Sequence, residues 1–511
     1  MAEKYSLAQV LELSKQHRVV PLIETIFSGS ESPVALYEKL TEGKPGSFLL
    51  ESAEHGVWSR YSFIGVSNRG TLTQSSDGTV AWISPEGHSA FPADSQQSLP
   101  SKSLEAVDAL HRAWNSAAIA GLPPLTSGLV GALGWDTIRE IENLPNKPKE
   151  AYPAPNMVFQ MFRDLVIVDH HESNLLLVSN LFIEGDDQAA IEAQYLEANA
   201  RLVGLRAKLL QPTAPFLASR EDADLAAVEA NFTQESFVRM VERAKEHVRV
   251  GDVFQVVLSQ RFDLQTEASP LSVYRVLRAL NPSPYMYLLN LSDDLGDYAI
   301  VGSSPEALVT VNDGRAIMHP IAGSRPRGAD WDSDAQLETD LKGDAKEQAE
   351  HLMLVDLARN DLLKVCEPTS VTVTEFMQVH KFSHIQHLVS TVEGDVLPRR
   401  SAVDVFRATF PAGTLSGAPK PRALEIIDDL EDDNRGLYGG VVGYFDFAGN
   451  ADLAISIRTA IVRDGVAHVQ AGAGIVLDSN PVTEFEETRN KAAAPLRAVA
   501  VASAMKELHG E

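Results

Sequence analysis

The stretch GGVVGYFDFAGNADLAISIRTAIVRDGVAHVQA, residues 439–471, decides the fold of this chain. It contains three apolar runs, Gly439–Phe447, Leu453–Val462 and Ala467–Ala471, with turn-forming residues between them. Short runs of this kind are typical of β-strands, and the three are predicted to pair sequentially. Strands elsewhere in the chain also come in runs that do not alternate strictly with helices. The pattern therefore predicts an α+β fold and not a doubly wound parallel sheet.

The remaining predicted elements fall on both sides of a patternless stretch. Further strands are predicted at Ser47–Ser52, Tyr61–Val66, Leu165–His170, Leu175–Leu181, Val253–Phe262, Tyr285–Leu291 and Tyr298–Gly302. Helices are predicted from Thr233 to Gly251 and at Leu271–Leu280, Lys342–Leu363 and Thr483–Lys506. Residues 211–231 are rich in Ala, Asp and Pro, which predicts a boundary between residues 1–225 and residues 226–511.

Composition limits the classes of partner. The chain has 511 residues, 44% of them hydrophobic, and a net charge of -26. Nucleic acids and anionic membranes need a basic surface, so neither is an expected partner. An anionic substrate would need local cations or a metal ion. The single cysteine, Cys366, excludes an internal disulfide and suits a reducing compartment. Without a signal-peptide or membrane-span pattern, the chain is expected to be soluble and cytoplasmic.

Two glutamate pairs stand far apart on predicted helices. They are Glu347 with Glu350, and Glu484 with Glu487. A spacing of three puts both members of a pair on one helix face. Two such faces brought together would offer four carboxylates, and Mg²⁺ prefers oxygen ligands. For either pair taken alone, solvated surface glutamates are the better interpretation.

Two basic residues accompany these pairs. Arg458 lies in the apolar run LAISIRTAIV, where a guanidinium must be paired. A bound carboxylate and a structural salt bridge explain it equally well. Lys491 follows Glu487 and Glu484 on nearly the same helix face. This arrangement could be nothing more than a surface ion pair, which is common and weak.

Two Gly-rich segments, Pro411–Lys420 and Gln470–Gly474, are interpreted as turns. Glycine lets backbone N–H groups approach an anion, although neither segment matches a phosphate loop or a dinucleotide fingerprint. His384 and His387 are candidate general bases, and each could equally be satisfied by a neighbouring group. Glu306 is a candidate general acid if burial raises its pKa. Cys366 is interpreted as structural.

Together these segments resemble the chorismate-utilising enzymes, specifically the anthranilate synthase component I branch. The resemblance covers nearly the whole chain. It is densest in Pro320–Gly328 (PIAGSRPRG), Glu350–Leu362 (EHLMLVDLARNDL), Gly413–Lys420 (GTLSGAPK), Leu437–Phe445 (LYGGVVGYF) and Gln470–Ser479 (QAGAGIVLDS). It implies a large α+β fold of two packed, mainly antiparallel sheets with helices on the outside. It also implies conversion of chorismate and ammonia to anthranilate and pyruvate through 2-amino-2-deoxyisochorismate, the first committed step of tryptophan biosynthesis.

The resemblance assigns roles to individual residues. Glu350 and Glu487 are implied as Mg²⁺ ligands, with Glu347 and Glu484 holding metal-bound water. The implied substrate contacts are Arg458 and Tyr438 with the backbone of Gly472 and Gly474 at the enolpyruvyl carboxylate, Thr414 and Ser324 at the ring, and Lys491 near the carboxylates. Glu306 is implied to protonate the leaving C4 hydroxyl, and His387 to act in the elimination.

Two positions separate the branches of the family. Isochorismate and salicylate synthases use a lysine where this chain has Gln255, and aminodeoxychorismate synthases usually have one where it has Ala322. Both residues favour anthranilate as the product. Ser324 stands where the family usually has threonine, and the hydroxyl is kept.

The resemblance further implies feedback inhibition by tryptophan, with residues 1–225 as the regulatory region and 226–511 as the catalytic region. The implied effector contacts are Glu51, Ser52, Pro284, Tyr285, Met286, Val442 and Tyr444. A plain strand and a Pro-rich turn would explain the same segments.

This chain is not expected to be its own glutaminase, because Cys366 lacks the setting of a glutaminase nucleophile. Either free ammonia is used or a separate glutaminase subunit delivers it. The resemblance implies such a partner, a glutamine amidotransferase subunit, anthranilate synthase component II, in an α2β2-type assembly. Less favoured alternatives are aminodeoxychorismate synthase component I, a catalytically silent tryptophan-binding subunit and a generic acidic scaffold.

Overall fold

The computed structural model describes residues 4–29, 31–53, 60–150, 152–212, 216–221, 225, 227–381 and 385–508. The helices are α1 Leu7–Leu13, α2 Pro33–Thr41, α3 Ser103–Ala113, α4 Gln188–Leu209, α5 Gln234–Arg249, α6 Pro270–Leu280, α7 Trp331–Gly343, α8 Ala345–Leu363, α9 Ala402–Thr409, α10 Gly413–Ser416, α11 Lys420–Leu430 and α12 Pro481–Ala504. Short 3₁₀ helices cover Trp135–Glu140 and Pro368–Ser370.

The strands are β1 Val19–Phe27, β2 Ser47–Glu51, β3 Tyr61–Gln74, β4 Val80–Ile83, β5 Gly128–Leu133, β6 Met157–Asp169, β7 Asn174–Phe182, β8 Ala218–Ser219, β9 Glu229–Ala230, β10 Gln255–Gln265, β11 Tyr285–Asp293, β12 Gly296–Ser304, β13 Ala307–Asn312, β14 Arg315–Met318, β15 Ile321–Pro326, β16 Thr372–Lys381, β17 Ile385–Asp395, β18 Gly417–Ala418, β19 Val441–Asp446, β20 Ala451–Ile455, β21 Thr459–Arg463, β22 Val466–Ile475 and β23 Lys506–Glu507.

Within the described residues, the strand-to-strand ladders form one continuous antiparallel network of 21 strands, with β8 and β23 paired separately. The network has two branches that meet where β3 pairs with β6. One branch runs from β6 through β5, β19, β20, β13 and β14 to β17. The other runs from β3 through β2, β11, β12, β21 and β22 to β10.

The two branches pack face to face as two sheets. Side chains alternate between the faces of a strand, so in β12 Tyr298 and Ile300 lie in a core shared with the other branch, whereas Ala299 and Val301 face helices. The shared core also contains Val130 of β5 and is built from strands and loops. The helices cover the outer faces. The predicted α+β fold of packed antiparallel sheets with outer helices is confirmed.

Three sequence-based predictions of local structure are wrong. The predicted helix Lys342–Leu363 is divided, because Asp344 is extended and caps α8 by accepting hydrogen bonds from the N–H groups of Lys346 and Glu347. The predicted strand Leu453–Val462 is two strands with residues 456–458 between them. The predicted turn Gln470–Gly474 lies inside β22, where its backbone pairs with β10.

Strands from both sides of residue 225 pair with each other: β2 with β11, and β5 with β19. The division at residue 225 stays a prediction. In the part of the chain that the structure describes, no helix has the length and apolarity needed to cross a membrane.

Candidate active site

Glu306 lies at the centre of the predicted catalytic residues, in the tight connection between β12 and β13. The Thr414 hydroxyl donates a hydrogen bond to Glu306 Oε1 at 3.0 Å. Burial raises the pKa of Glu306 to about 7, despite the opposing effects of this hydrogen bond and of Lys491. A pocket adjoins the carboxyl. It has about 400 Å³ of space, part of it open to solvent, and is lined by residues of α8, of β14 and of the start of α10. A carboxyl group with this pKa can donate a proton near neutral pH.

Arg458 lies in the connection between β20 and β21, not within a strand, and its backbone is left-handed with φ 52°. Burial lowers the pKa of its guanidinium, and no carboxylate among the described residues forms an ion pair with it. The structural salt bridge that the sequence left open is therefore absent from that part of the chain. Its electrostatic neighbours are Tyr438 and His387. A partly buried guanidinium in this setting can bind a carboxylate with two hydrogen bonds.

Tyr438, Gly472 and Lys491 line the same side of the site. Tyr438 is buried, and its hydroxyl would lie 2.7 Å from a Cβ placed on Gly472. Lys491 Nζ donates to the Gly472 carbonyl at 3.1 Å. The glycine therefore gives the tyrosine hydroxyl space to approach the backbone of β22.

His387 lies on β17, opposite Ser324 of β15. Its Nδ1 is 2.9 Å from the carbonyl oxygen of Gly323. Because a carbonyl oxygen only accepts, Nδ1 carries the proton and the lone pair of the neutral ring is on Nε2. Burial lowers the pKa of His387, which favours this neutral form. His384, the other candidate base, lies outside the described residues.

Glu350 of α8 and Glu487 of α12 act on each other electrostatically. Burial, with the carboxylates of Glu347 and Glu487, raises the pKa of Glu350. Burial, with a contribution from Glu487, raises the pKa of Glu484. Lys491 forms a partly exposed ion pair with Glu487 at 2.6 Å, and its Nζ also donates to the Gly472 carbonyl.

The carboxylates of Glu350 and Glu484, whose pKa values are raised, are suitable donors for a hard cation, which would stabilise their ionised forms. The described residues nevertheless contain no ready group of three or more His, Cys, Asp or Glu side chains that could hold a metal ion. Mg²⁺ usually binds through one or two carboxylates and completes its shell with waters and substrate oxygens. The residues present fit that mode. An ion pair with Arg325, at 3.2 Å, fixes the position of the Glu347 carboxylate.

Both branch-discriminating residues are buried near the site. The Gln255 amide would lie 2.3 Å from a Cβ on Gly474, so it covers that glycine closely. Ala322 is buried on β15 next to Gly323. Neither position carries an amine.

The predicted effector residues also come together. Glu51 of β2 and Met286 of β11 are register partners, and Tyr285 hydrogen-bonds Asp452. The Glu51 carboxylate accepts hydrogen bonds from Tyr274 and Arg278. The buried hydroxyl of Ser52 makes no hydrogen bond to any described residue. The remaining members of the group are Pro284, which precedes β11, and Val442 and Tyr444 on β19.

The hairpin of β19 and β20 joins the two groups. Tyr444 and Asp452 are register partners within it, among the effector residues. Tyr438 precedes β19 and Arg458 follows β20, among the catalytic residues. One continuous segment therefore contributes side chains to both sites.

Sequence reasoning missed two buried ion pairs beside the site. Arg435 pairs with Glu431, and Lys420 pairs with Asp361, which lines the pocket next to Glu306. The spacing of four between Glu431 and Arg435 was a visible signal, but surface helices carry the same spacing.

A family model described as chorismate binding enzyme matches residues 45–497. The chain belongs to this family. Chorismate-binding enzymes that resemble it are named anthranilate synthase component 1 in Arthrobacter globiformis (48% identical, covering 98% of this chain and 94% of the relative) and in Mycolicibacterium smegmatis (47%, covering 99% and 96%). The crystal structure of anthranilate synthase component I from Streptococcus pneumoniae is 34% identical, with a TM-score of 0.72 over 93% of this chain and 99% of that one.

A more distant solved structure shares the fold. The menaquinone-specific isochorismate synthase of Escherichia coli has a TM-score of 0.67 at 18% identity and covers 96% of this chain and 98% of its own. The fold therefore occurs in proteins that are named for different reactions.

Proposed function

We propose that this chain is the large subunit of an anthranilate synthase, which converts chorismate and ammonia to anthranilate and pyruvate. Relatives that cover nearly its whole length are named for this activity. The observation that carries the proposal is Arg458, a partly buried guanidinium without a carboxylate partner among the described residues, beside Tyr438 and His387. Such a cation is costly unless an anion is bound, and chorismate carries two carboxylates.

Substrate binding follows from these contacts. Arg458 and Tyr438 would hold the enolpyruvyl carboxylate against the backbone of Gly472 and Gly474. Thr414 and Ser324 would line the ring. This local cationic and hydrogen-bonding surface would offset the repulsion between a dianionic substrate and a chain with a net charge of -26.

We propose Mg²⁺ as the cofactor, bound by Glu350 and Glu487, with Glu347 and Glu484 holding its water ligands. When bound, the ion would supply positive charge for the ring carboxylate of chorismate. Lys491, which pairs with Glu487, would offset part of the negative charge of these glutamates before the ion arrives.

Two proton transfers would be made by this chain's own residues. As ammonia forms the bond to ring C2, Glu306 would donate its proton to the C4 hydroxyl, which leaves as water. The C2 proton must then be removed as the bond between C3 and the enolpyruvyl oxygen breaks, and the released enolpyruvate takes up a proton from solvent at its methylene carbon to give pyruvate. Nε2 of His387 is the nitrogen that would accept that proton.

The ammonia would come from a glutamine amidotransferase subunit, in an α2β2-type assembly. Cys366, the only cysteine of the chain, is buried, and burial raises the pKa of its thiol to about 11. A thiol with this pKa is not ionised at neutral pH and is a poor nucleophile. The relatives' name, component 1, agrees with a second component.

We also propose inhibition by tryptophan, bound between Glu51–Ser52, Pro284–Met286 and the strand with Val442 and Tyr444. The unsatisfied Ser52 hydroxyl supports a ligand there, because buried polar groups are normally hydrogen-bonded. Residues 1–225 would then be chiefly regulatory and residues 226–511 chiefly catalytic.

The proposal is tested by incubating the purified chain with chorismate, MgCl₂ and ammonium salt at alkaline pH and following anthranilate fluorescence. We expect fluorescence that is lost with EDTA, is restored by excess Mg²⁺ and decreases with tryptophan. Glutamine alone should support no reaction until the amidotransferase subunit is added. Chorismate consumption without fluorescence would refute anthranilate as the product, and formation of aminodeoxychorismate would identify the rival reaction, against which Ala322 argues.

A further inference from the structure

Glu431 and Arg435 form a buried ion pair that none of the proposed catalytic roles uses. Their relative exposures are 5% and 1%. The Arg435 guanidinium donates to both carboxylate oxygens of Glu431, at 2.8 and 2.6 Å. Removing two charges from water is costly, and an apolar pair of similar volume often gives equal or greater stability. Stability alone is therefore a weak explanation for this pair.

The other donors of Arg435 reach two segments of the proposed active site. Nη1 donates to the carbonyl oxygen of Leu415 at 2.7 Å, directly after Thr414. Nη2 donates to the carbonyl oxygen of Val257 at 2.8 Å. Val257 is the register partner of Gly474. One guanidinium thus holds α10, which carries Thr414, in a fixed position relative to β10, the strand that pairs with Gly474. Thr414 in turn orients Glu306.

The carboxylate of Glu431 reaches the same strand, β10, two residues further along. Its Oε1 accepts hydrogen bonds from the N–H and the hydroxyl of Ser259, at 2.7 and 2.9 Å. Ser259 is the register partner of Gly472. Both glycines proposed to hold the enolpyruvyl carboxylate therefore lie opposite β10 residues that are hydrogen-bonded to this pair.

The faces of the Arg435 guanidinium contact two aromatic rings. Its Cζ lies 4.4 Å from the ring centroid of Trp135 and 5.7 Å from that of Tyr438. A planar guanidinium can stack on rings while its edge donates hydrogen bonds, which lysine cannot do. Tyr438 is a proposed substrate-binding residue that Arg435 contacts directly, whereas Thr414, Gly472 and Gly474 are reached through their neighbours.

We propose that the Glu431–Arg435 pair is a positioning unit, which holds Thr414, Tyr438 and the Gly472–Gly474 backbone at the distances that the reaction needs. The inference rests on the proposed function, because it concerns the geometry of that same site. The pair touches no reacting atom, so it acts through the residues it orients. Small displacements of such residues lower rates strongly, by about 100-fold for about 1 Å.

The test compares three forms of the full chain: wild type, the apolar double variant Glu431→Leu/Arg435→Met, and Arg435→Lys. The matched control is Asp293→Leu/Arg463→Met, which removes another buried ion pair. Arg463 ends β21, five residues from Arg458, and its pair contacts none of the site segments named above. The measurements are melting temperature, kcat and KM for chorismate at saturating ammonium and Mg²⁺, and the pH profile of kcat/KM. Calorimetry gives the Kd for chorismate.

The expected result is a folded double variant whose kcat/KM is about 100-fold lower. The fall of kcat/KM that reports the deprotonation of Glu306 should move to higher pH, because Thr414 no longer keeps its position. Arg435→Lys should lie between this variant and wild type, and the control should stay within twofold of wild type. A folded double variant with wild-type kcat/KM and pH profile would overturn the inference. Should the double variant not fold, Arg435→Lys decides by the same criteria.

The two proposals fail separately. An active wild-type enzyme with unaffected variants leaves the function standing and removes the positioning role. A wild-type chain that forms no anthranilate refutes the function, and the Kd for chorismate then decides whether the pair shapes the pocket: weaker binding in the pair variants than in the control supports it, and equal binding refutes it.

Discussion

At the scale of single residues, the hydrogen bond from Thr414 to Glu306 controls an acid. Burial sets the pKa of Glu306 near 7, and the Thr414 hydroxyl lowers it from a still higher value. Glu306 acts when protonated, so kcat/KM falls as pH rises through this pKa. Thr414→Val removes the donor, and we expect the falling limb to move to higher pH.

The measurement is kcat/KM for chorismate across pH 6 to 9 at constant free ammonia. Thr73→Val is the matched control, since Thr73 is buried and donates to the Met157 carbonyl, outside the site. Its limb should coincide with that of wild type. A Thr414→Val limb at the wild-type position or below it would contradict the assigned hydrogen bond.

Arg458 provides the second prediction at this scale. Hydrogen bonds to a charged group contribute about 1.5–3 kcal/mol, so Arg458→Gln should raise the Kd for chorismate by about 10- to 100-fold. The variant should melt no lower than wild type, because it removes a partly buried charge that has no carboxylate partner in the described chain. Titration calorimetry and thermal denaturation measure the two effects. Unchanged binding, or a large loss of stability, would show that Arg458 is structural.

The limits of sequence reasoning are clearest in Arg458 and Glu306. The sequence predicted that Arg458 needs an anion, but it placed the residue in a strand, because apolar neighbours hide a backbone turn at positive φ. The raised pKa of Glu306 was predicted only on condition of burial, and burial depends on contacts with α8 and α10 that are remote in sequence. Arg435 was missed because nothing local distinguishes a buried guanidinium from a surface one.

At the scale of elements, β22 carries two glycines with different neighbours. A Cβ on Gly472 would lie 2.7 Å from the backbone oxygen of Leu258 and from the Tyr438 hydroxyl. A Cβ on Gly474 would meet only the Gln255 side chain, at 2.3 Å. Since a side chain can move and a paired strand cannot, Gly472→Ala should lower both the melting temperature and kcat/KM, and Gly474→Ala should do so less.

Parallel purification, thermal denaturation and kinetics of the two alanine variants check this order. A control glycine needs open space for a Cβ and a backbone conformation that alanine adopts readily. Gly78 and Gly87 have the space, but their φ angles are positive, so they are unsuitable. Gly185 has open space without that constraint, and Gly185→Ala should match wild type. Equal effects at Gly472 and Gly474 would contradict the packing of β22 against β10.

Local pattern predicted most elements but not their interruptions. Apolar runs placed β11, β12 and β19 within a few residues of their observed bounds. The break between α7 and α8 depends on one capping aspartate, Asp344, and the strand character of Gln470–Gly474 depends on pairing with β10. Glycine weakens a strand taken alone, so tertiary pairing overrode the local preference.

At the scale of the whole molecule, the two halves share their sheets. β2 is paired on both edges, with β3 of its own half and with β11, and β5 links β6 to β19 of the other half. Separating residues 1–225 from 226–511 would expose these strand edges and the core between the sheets. We expect the isolated C-terminal region to be insoluble or unfolded, and co-expression with the N-terminal region to restore a folded complex.

Circular dichroism and size-exclusion chromatography of the separate and co-expressed regions provide the check, with the intact chain as reference. A C-terminal region that folds alone and forms anthranilate would show that the two regions are independent domains. The sequence indicated a boundary near residue 225 from composition, and composition carries no information on which strands pair across that position.

The hairpin of β19 and β20 has a consequence for inheritance. A stretch of 21 consecutive residues contains Tyr438, Tyr444, Asp452 and Arg458. The residues proposed to bind the substrate and those proposed to bind the inhibitor are therefore inherited together. Recombination between diverged genes would separate them only through a crossover inside those few codons. A lineage that acquires a foreign version of this segment should therefore acquire part of its regulation along with its catalysis.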